Sequence, residues 1–466
     1  MTIWVPELDG AAGPKYLAIA DAIARDVSCG RLAPGARLPT HRDLADRLQV
    51  TVGTVSRAYA EAKRRGLVAG EVGRGTFIRQ PAATGFEFGM PLRDAPGDRD
   101  LIDLSMNSPA LSTIRDDLAP AFSALANQDV LADILCYQPN IGTERHRRAG
   151  ARWMGYAGME AEPDQVVVSV GAQHALLLAF SVISEPGDLM LTEALTYPGM
   201  NSLARLLRLR LAGIAMDEHG LRPDALAEAC RRGSPRAIYV NPTIQNPTAV
   251  FMPESRRREI AAIAEAQGIY VIEDDIYAYL TPEVPRPISA LVPDLGFRVD
   301  GLSKSVAPGL RVGYLRAPKS VMEPLAAALM TTAVMASPFT AEVAATIIED
   351  GTVDRIVQRR RREIAQRQKL TRDILGAHVA RHSRPESLHV WLGLPEPWRA
   401  EEFVVEARAR GVLVASPEIF AVGHSPTPHA VRLSIGVVDD INVLERSLHI
   451  LAELLVSNPR PQMARL

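Results

Sequence analysis

Cysteine is scarce in this chain: three in 466 residues, Cys29, Cys136 and Cys230. They stand about a hundred residues apart. That spacing fits neither a metal knuckle nor a disulfide framework, and it points to the cytosol. Long apolar runs are also missing. The longest, such as "ALLLAF" at 175–180, are far too short to cross a bilayer. The opening "MTIWVPELDG" lacks a basic region followed by an apolar core, so it does not read as a secretory signal.

What is present suits a globular protein of more than one domain. The length exceeds what one hydrophobic core usually serves. Net charge is −2 but unevenly spread. Residues 10–79 hold twelve Lys/Arg against six Asp/Glu, so the remainder is acidic. A basic module on an acidic body suggests a polyanion partner for that module alone, or else a solvated surface.

In that module, "PKYLAIADAIARDVSCG" (14–30) opens with Pro and closes with Gly. Leu17, Ile19, Ala20, Ile23, Ala24 and Val27 recur at helical spacing and predict a core face. Thr40 is placed to cap "HRDLADRL", with Asp43 three residues on. Thr51 is placed to cap "VGTVSRAYAEAKRRG". Two short helices around a tight turn make a helix-turn-helix. "LVAGEVGRGTFI" reads as two strands around a glycine-rich tip carrying Arg74. Residues 80–100, rich in Pro, Gly and Ala and without period, read as a linker.

From Leu101 on, buried strand patterns ("QVVVSV", "DLMLTE", "RAIYVNP", "GIYVIEDD") alternate with helical stretches. This predicts an α/β fold with a mostly parallel sheet, whose ligand residues collect past the carboxyl ends of strands. "GAQHAL" follows a strand and opens a helix, where main-chain N–H groups could hold a phosphate. A plain tight turn is the commoner reading of that motif alone. Tyr197, Asn246, the acids of "EDDIY" and Lys304 in "GLSKSVAPGLRVGYL" sit in comparable places.

Two resemblances follow. Residues 10–79, through "LAPGARLPTHRDLADRLQVTVGTV" and "GRGTFI", resemble the winged helix-turn-helix of the GntR family. The resemblance implies that Arg42, Thr51, Gly53, Thr54 and Arg57 face DNA, and that Arg74 and Gly75 reach a minor groove. Val52 stands where many relatives carry arginine. Residues 101–460, through the ordered set Gly171–Gln173, Tyr197, Asn246-Pro-Thr, Asp274, Tyr277, Ser303-Lys304 and Arg311, resemble the fold-type I aminotransferases, which use pyridoxal 5′-phosphate.

That second resemblance implies residue roles. Lys304 would supply the amine that takes the cofactor's aldehyde, and Asp274 would face its pyridine nitrogen. Asn246 and Tyr277 would bond its 3-hydroxyl, and Tyr197 would stack on its ring. Ala172, Gln173, Ser303 and Arg311 would bind the phosphate, joined by Tyr137 from a partner subunit. Arg432 would grip the carboxylate of an amino-acid ligand. Gly301 stands where relatives usually have serine, and Ala249 where Asn-Pro-Thr usually continues with glycine.

The whole arrangement resembles the MocR subfamily of GntR regulators. It implies a cytoplasmic, DNA-binding, head-to-tail homodimer that senses an amino-acid or amine effector through the cofactor, with no part in a membrane. A working aminotransferase carrying a DNA-binding arm is the alternative.

Overall fold

The computed structural model describes residues 4–6, 14–28, 31–32, 35–64, 67–71, 75–78, 101–126, 131–423 and 427–459. Cys29, Arg74 and the linker expected over 80–100 lie outside them. The chain divides into two compact units, 1–87 with 421–428, and 88–420 with 429–466.

The small unit holds α1 (Lys15–Ser28), α2 (His41–Leu48), α3 (Val52–Arg64) and the antiparallel pair β1 (Val68–Glu71) and β2 (Gly75–Ile78). Ile19, Ile23 and Val27 of α1 pack with Leu44, Val55, Ala58, Tyr59 and Ile78 in one core. The helix starts are made locally. Thr40 Oγ1 accepts from the Asp43 amide at 3.2 Å, and Thr51 Oγ1 accepts from the Thr54 amide at 3.2 Å. Between them Gln49 turns left-handed (φ 50°) and ends α2.

The large unit is built on a seven-stranded sheet. Its strands are β4 (Val166–Ser169), β5 (Leu189–Glu193), β6 (Arg210–Ile214), β9 (Pro235–Val240), β10 (Tyr270–Asp274), β11 (Gly296–Gly301) and β12 (Gly313–Arg316). Two short strands, β7 (Met216–Asp217) and β8 (Gly220–Leu221), form a hairpin beside it. The order is β4-β12-β11-β10-β9-β5-β6, and β12 alone runs against its neighbours. Helices cover both faces, which is why these strands read as unbroken apolar runs. A smaller layer pairs β13 (His389–Gly393) with β15 (Ala430–Ser434), and β3 (Ile102–Asp103) with β14 (Val412–Leu413). The helices Thr352–Leu375 and Ile441–Val456 support it. No helix among the described residues is long and apolar enough to cross a membrane.

Candidate functional site

The site gathers at the carboxyl ends of the sheet strands. β10 ends in Glu273 and Asp274, Asp275 follows it, and adjacent residues of an extended chain face opposite sides. Glu273 and Asp275 turn to buried cations: Arg257 lies 3.6 Å from Glu273, and Arg298 lies 3.3 Å from Asp275 and 3.4 Å from Asp300. Such neutralisation is what makes two fully buried carboxylates tolerable. Asp274 turns the other way. Its Oδ2 accepts from the Tyr239 hydroxyl at 2.7 Å, while its Oδ1 is buried with no hydrogen-bond partner. Burial lifts its pKa to about 6; the Tyr239 bond, the Ile276 amide and Lys304 oppose the rise, and Asp275 adds to it.

Lys304 follows β11 and is half-buried. Its Nζ donates to the Asn107 main-chain oxygen at 2.5 Å. Burial lowers its pKa to about 8, assisted by Arg432 and Arg311 and opposed by Asp274. A neutral amine is the nucleophilic form, so this environment favours attack on an aldehyde. The same influences show that Lys304, Asp274, Arg311 and Arg432 share one neighbourhood. Tyr197, which feels Asp274, Arg311 and Arg432, joins them.

At one end of the site, Gly171 (φ 81°) starts the helix Ala172–Ile183. A Cβ at Gly171 would come within 2.8 Å of Arg311 Nη2, and one at Gly313 within 2.7 Å of the Ala172 amide nitrogen. The glycines keep open a cradle where the first helix amides, those of Ala172 and Gln173, stand beside a guanidinium. Arg311 is itself exposed, in left-handed conformation (φ 50°), and donates to Val170 O at 3.2 Å. Gly301, in place of the expected serine, packs where a Cβ would sit 3.1 Å from Val312 O.

At the other end lies Arg432, on β15 and 5% exposed. Its Nη1 donates to Asn246 Oδ1 at 2.8 Å, its Nη2 donates to Ser105 O, and its Nε is buried without a partner. The guanidinium lies over the Phe420 ring, 4.9 Å from its centroid. Burial lowers its pKa to about 10, so it stays cationic at neutral pH. The Asn246 loop is braced from Asn241, whose Oδ1 accepts from the Asn246 amide at 2.9 Å. Ala249, in place of glycine, takes a positive φ of 59°.

Tyr277 is buried, and its hydroxyl accepts from Asn107 Nδ2 at 2.9 Å. Ser303 is half-buried beside Lys304. Tyr137 is 85% exposed and makes no part of this subunit's site. In the small unit Arg42, Thr51, Gly53 and Arg57 are exposed and Thr54 half-buried, with the Arg57 guanidinium 4.4 Å from the centroid of the Tyr16 ring. Gly75 (φ 117°) is exposed, and Arg37, not singled out from the sequence, lies against it. Reading the sequence also passed over Asn107, Ser105, Tyr239 and His389. Their types are ordinary in a core, and only the fold makes them neighbours of the site.

These residues suit pyridoxal phosphate: a buried carboxylate oxygen without a hydrogen-bond partner and a half-buried amine close enough to shift each other's pKa, with a helix start beside an exposed arginine where glycines leave no room for a Cβ. Residues 99–446 match the model of aminotransferase class I and II, and residues 15–78 match that of bacterial regulatory proteins of the gntR family. The HTH-type transcriptional regulator YdeF of Bacillus subtilis is 28% identical over 452 residues, covering 97% of this chain and 96% of its own. The HTH-type pyridoxine biosynthesis transcriptional regulator PdxR of Corynebacterium glutamicum is 28% identical over 409 residues, covering 85% and 87%. The fold of the α-aminoadipate aminotransferase LysN of Thermus thermophilus superposes with a TM-score of 0.69 at 23% identity, covering 77% of this chain and 92% of that one. The large unit thus has the fold-type I aminotransferase architecture. The chain belongs to the class I and II aminotransferase family and, with its GntR helix-turn-helix domain, is a transcriptional regulator of the MocR type.

Proposed function

We propose that this regulator holds pyridoxal 5′-phosphate on Lys304 and uses it to sense an amino compound bearing a carboxylate. The observation that carries the reading is Asp274 Oδ1, buried and without a partner in the neighbourhood of Lys304. An isolated buried carboxylate oxygen is costly, and the ring N–H of the cofactor would satisfy it. When bound, the cofactor supplies an aldehyde that captures amines and a ring that draws electrons from them.

The chain's own groups would divide the work as follows. Asp274 keeps the ring nitrogen protonated. Tyr197 covers the ring. Asn246 has spent its oxygen on Arg432, so its amide nitrogen is left for the 3-hydroxyl oxygen, as is the Tyr277 proton. The Ala172 and Gln173 amides, Ser303 and Arg311 hold the phosphate, with Tyr137 of a second copy in a head-to-tail homodimer. A ligand carboxylate takes Arg432 by its free Nε and by displacing Ser105 O from Nη2. The small unit, in the cytoplasm, reads DNA with Arg42, Thr51, Gly53, Thr54, Arg57, Arg74 and Gly75, joined to the large unit by a linker over 80–100. An effector acts by preferring one of two arrangements of the protein.

Borohydride reduction of the loaded protein, followed by peptide mapping, tests the site. The label is expected on Lys304, and Lys304→Ala should abolish it while leaving the fold intact. A label on Lys319 or Lys369 would sink the assignment. Mobility shifts with and without candidate amines test the sensing. The intact set of Lys304, Asp274 and Arg432 also favours a second reading, a working aminotransferase. Turnover of an amino acid with a keto acid separates the two.

A further inference from the structure

Asn107 and His389 stand behind Tyr277, and their donors and acceptors can be assigned by elimination. His389 Nε2 lies 3.0 Å from Gln245 O. A carbonyl only accepts, so Nε2 carries the proton. Burial, with Arg432 on β15 and Lys304 after β11 facing the ring, pushes the imidazole pKa down to about 3. Tyr277 meets the same ring edge-on, centroids 5.8 Å apart. The ring is therefore neutral and Nδ1 can only accept. Its partner at 3.0 Å is the Asn107 side-chain nitrogen, which must donate. Turned over, that amide would oppose its oxygen to a lone pair. Ser434 Oγ donates to Asn107 Oδ1 at 3.3 Å and secures the other end. The second N–H of the same amide reaches the Tyr277 oxygen at 2.9 Å. Tyr277 thus accepts from behind and keeps its own proton. No group among the described residues accepts that proton.

A buried histidine on an apolar strand is usually a satisfied core residue. Here one ring nitrogen is spent on an amide that touches both functional groups: the Asn107 side chain bonds Tyr277, and its main-chain oxygen accepts from Lys304. We propose that His389, acting through Asn107, is a positioning residue that commits Tyr277 to donate its proton into the site and so sets the proton equilibrium of the cofactor's phenolic oxygen. The inference rests on the cofactor reading above and adds a relay behind it. A donor aimed at that oxygen favours its ionised form.

The test is a spectroscopic pH titration of full-length protein loaded with pyridoxal phosphate. Asn107→Asp keeps the shape and reverses the polarity. A carboxylate only accepts, so Tyr277 turns its proton to Asp and away from the cofactor. The apparent pKa of the bound cofactor should rise by about one unit, a tenfold shift of the proton equilibrium. His389→Phe, which frees Asn107 to turn over, should raise it by less. His389→Gln, whose side-chain oxygen can accept from Asn107, should return it toward the wild-type value. If wild type and Asn107→Asp titrate together, the relay is wrong while the cofactor reading stands. If the wild type shows no cofactor band, both fall. A cofactor-free check uses the unsubstituted protein: nitrogen NMR should find His389 neutral and protonated on Nε2 at pH 7, and a proton on Nδ1 would overturn the relay even if no variant folds.

Discussion

Asp274 carries a free-energy cost of its own. Its carboxyl group has an ordinary value of 3.8 and sits here at about 6. Between those values the folded state binds more proton than the unfolded one, so stability falls as pH rises through this range. Above pH 6 the full cost of a charged, half-satisfied carboxylate is present. Asp274→Asn should therefore stabilise the cofactor-free protein by about 1–3 kcal/mol at pH 7 and by little at pH 4. Urea denaturation at the two pH values measures it, and equal effects at both would count against the burial argument. Lys304 makes a kinetic counterpart. With its pKa near 8, the rate of cofactor attachment should climb with pH and level off just above 8, whereas an ordinary lysine would go on gaining to beyond 10. Stopped-flow absorbance on the cofactor-free protein reads the difference. The resemblance to the aminotransferases singled out these two residues and Arg432, and the fold brings the three into one neighbourhood. Asn107 and His389 were not singled out. They are 282 positions apart and meet Tyr277 only through the fold.

At the scale of elements, the strands and the helix starts were the readable part. The four quoted strand patterns became β4, β5, β9 and β10 within a residue or two, because strands covered on both faces leave nothing but apolar positions. The antiparallel β12 was not foreseen: direction is set by connection, and "GYLR" looks the same either way. Thr40 and Thr51 cap as their positions suggested. The Thr51 cap also organises the exposed start of α3, so Thr51→Ala should cost the small unit about 1 kcal/mol in thermal or chemical unfolding. Arg42 is exposed on α2 and should act by charge. If it meets a phosphate, Arg42→Ala weakens DNA binding on every sequence and lowers the salt slope by about one. Titrations of binding against salt concentration decide it, with the cofactor spectrum expected to stay put.

Across the whole molecule, one stretch carries more than its length suggests. Residues 101–112 are the first described part of the large unit, next in sequence to residues 80–100. Lys304 holds this stretch at Asn107 O, Arg432 holds it at Ser105 O, and Asp439 accepts from the amides of Leu111 and Ser112. The β3–β14 pairing and the Asn107 side chain fasten it as well, but the two cations are the ones that a cofactor and an amino-acid ligand would claim. An amine joined to an aldehyde has fewer protons to give than a free ammonium group, and a guanidinium facing a carboxylate has less reason to hold a carbonyl. Occupancy of the site would then be written into the main chain as lost stitches. Amide hydrogen exchange over 105–108 should quicken when cofactor and ligand bind, while the Ile102 and Leu104 amides, held by Gly411 O and Leu413 O, keep their protection. The seam that leads out of the large unit would loosen as its interior tightens.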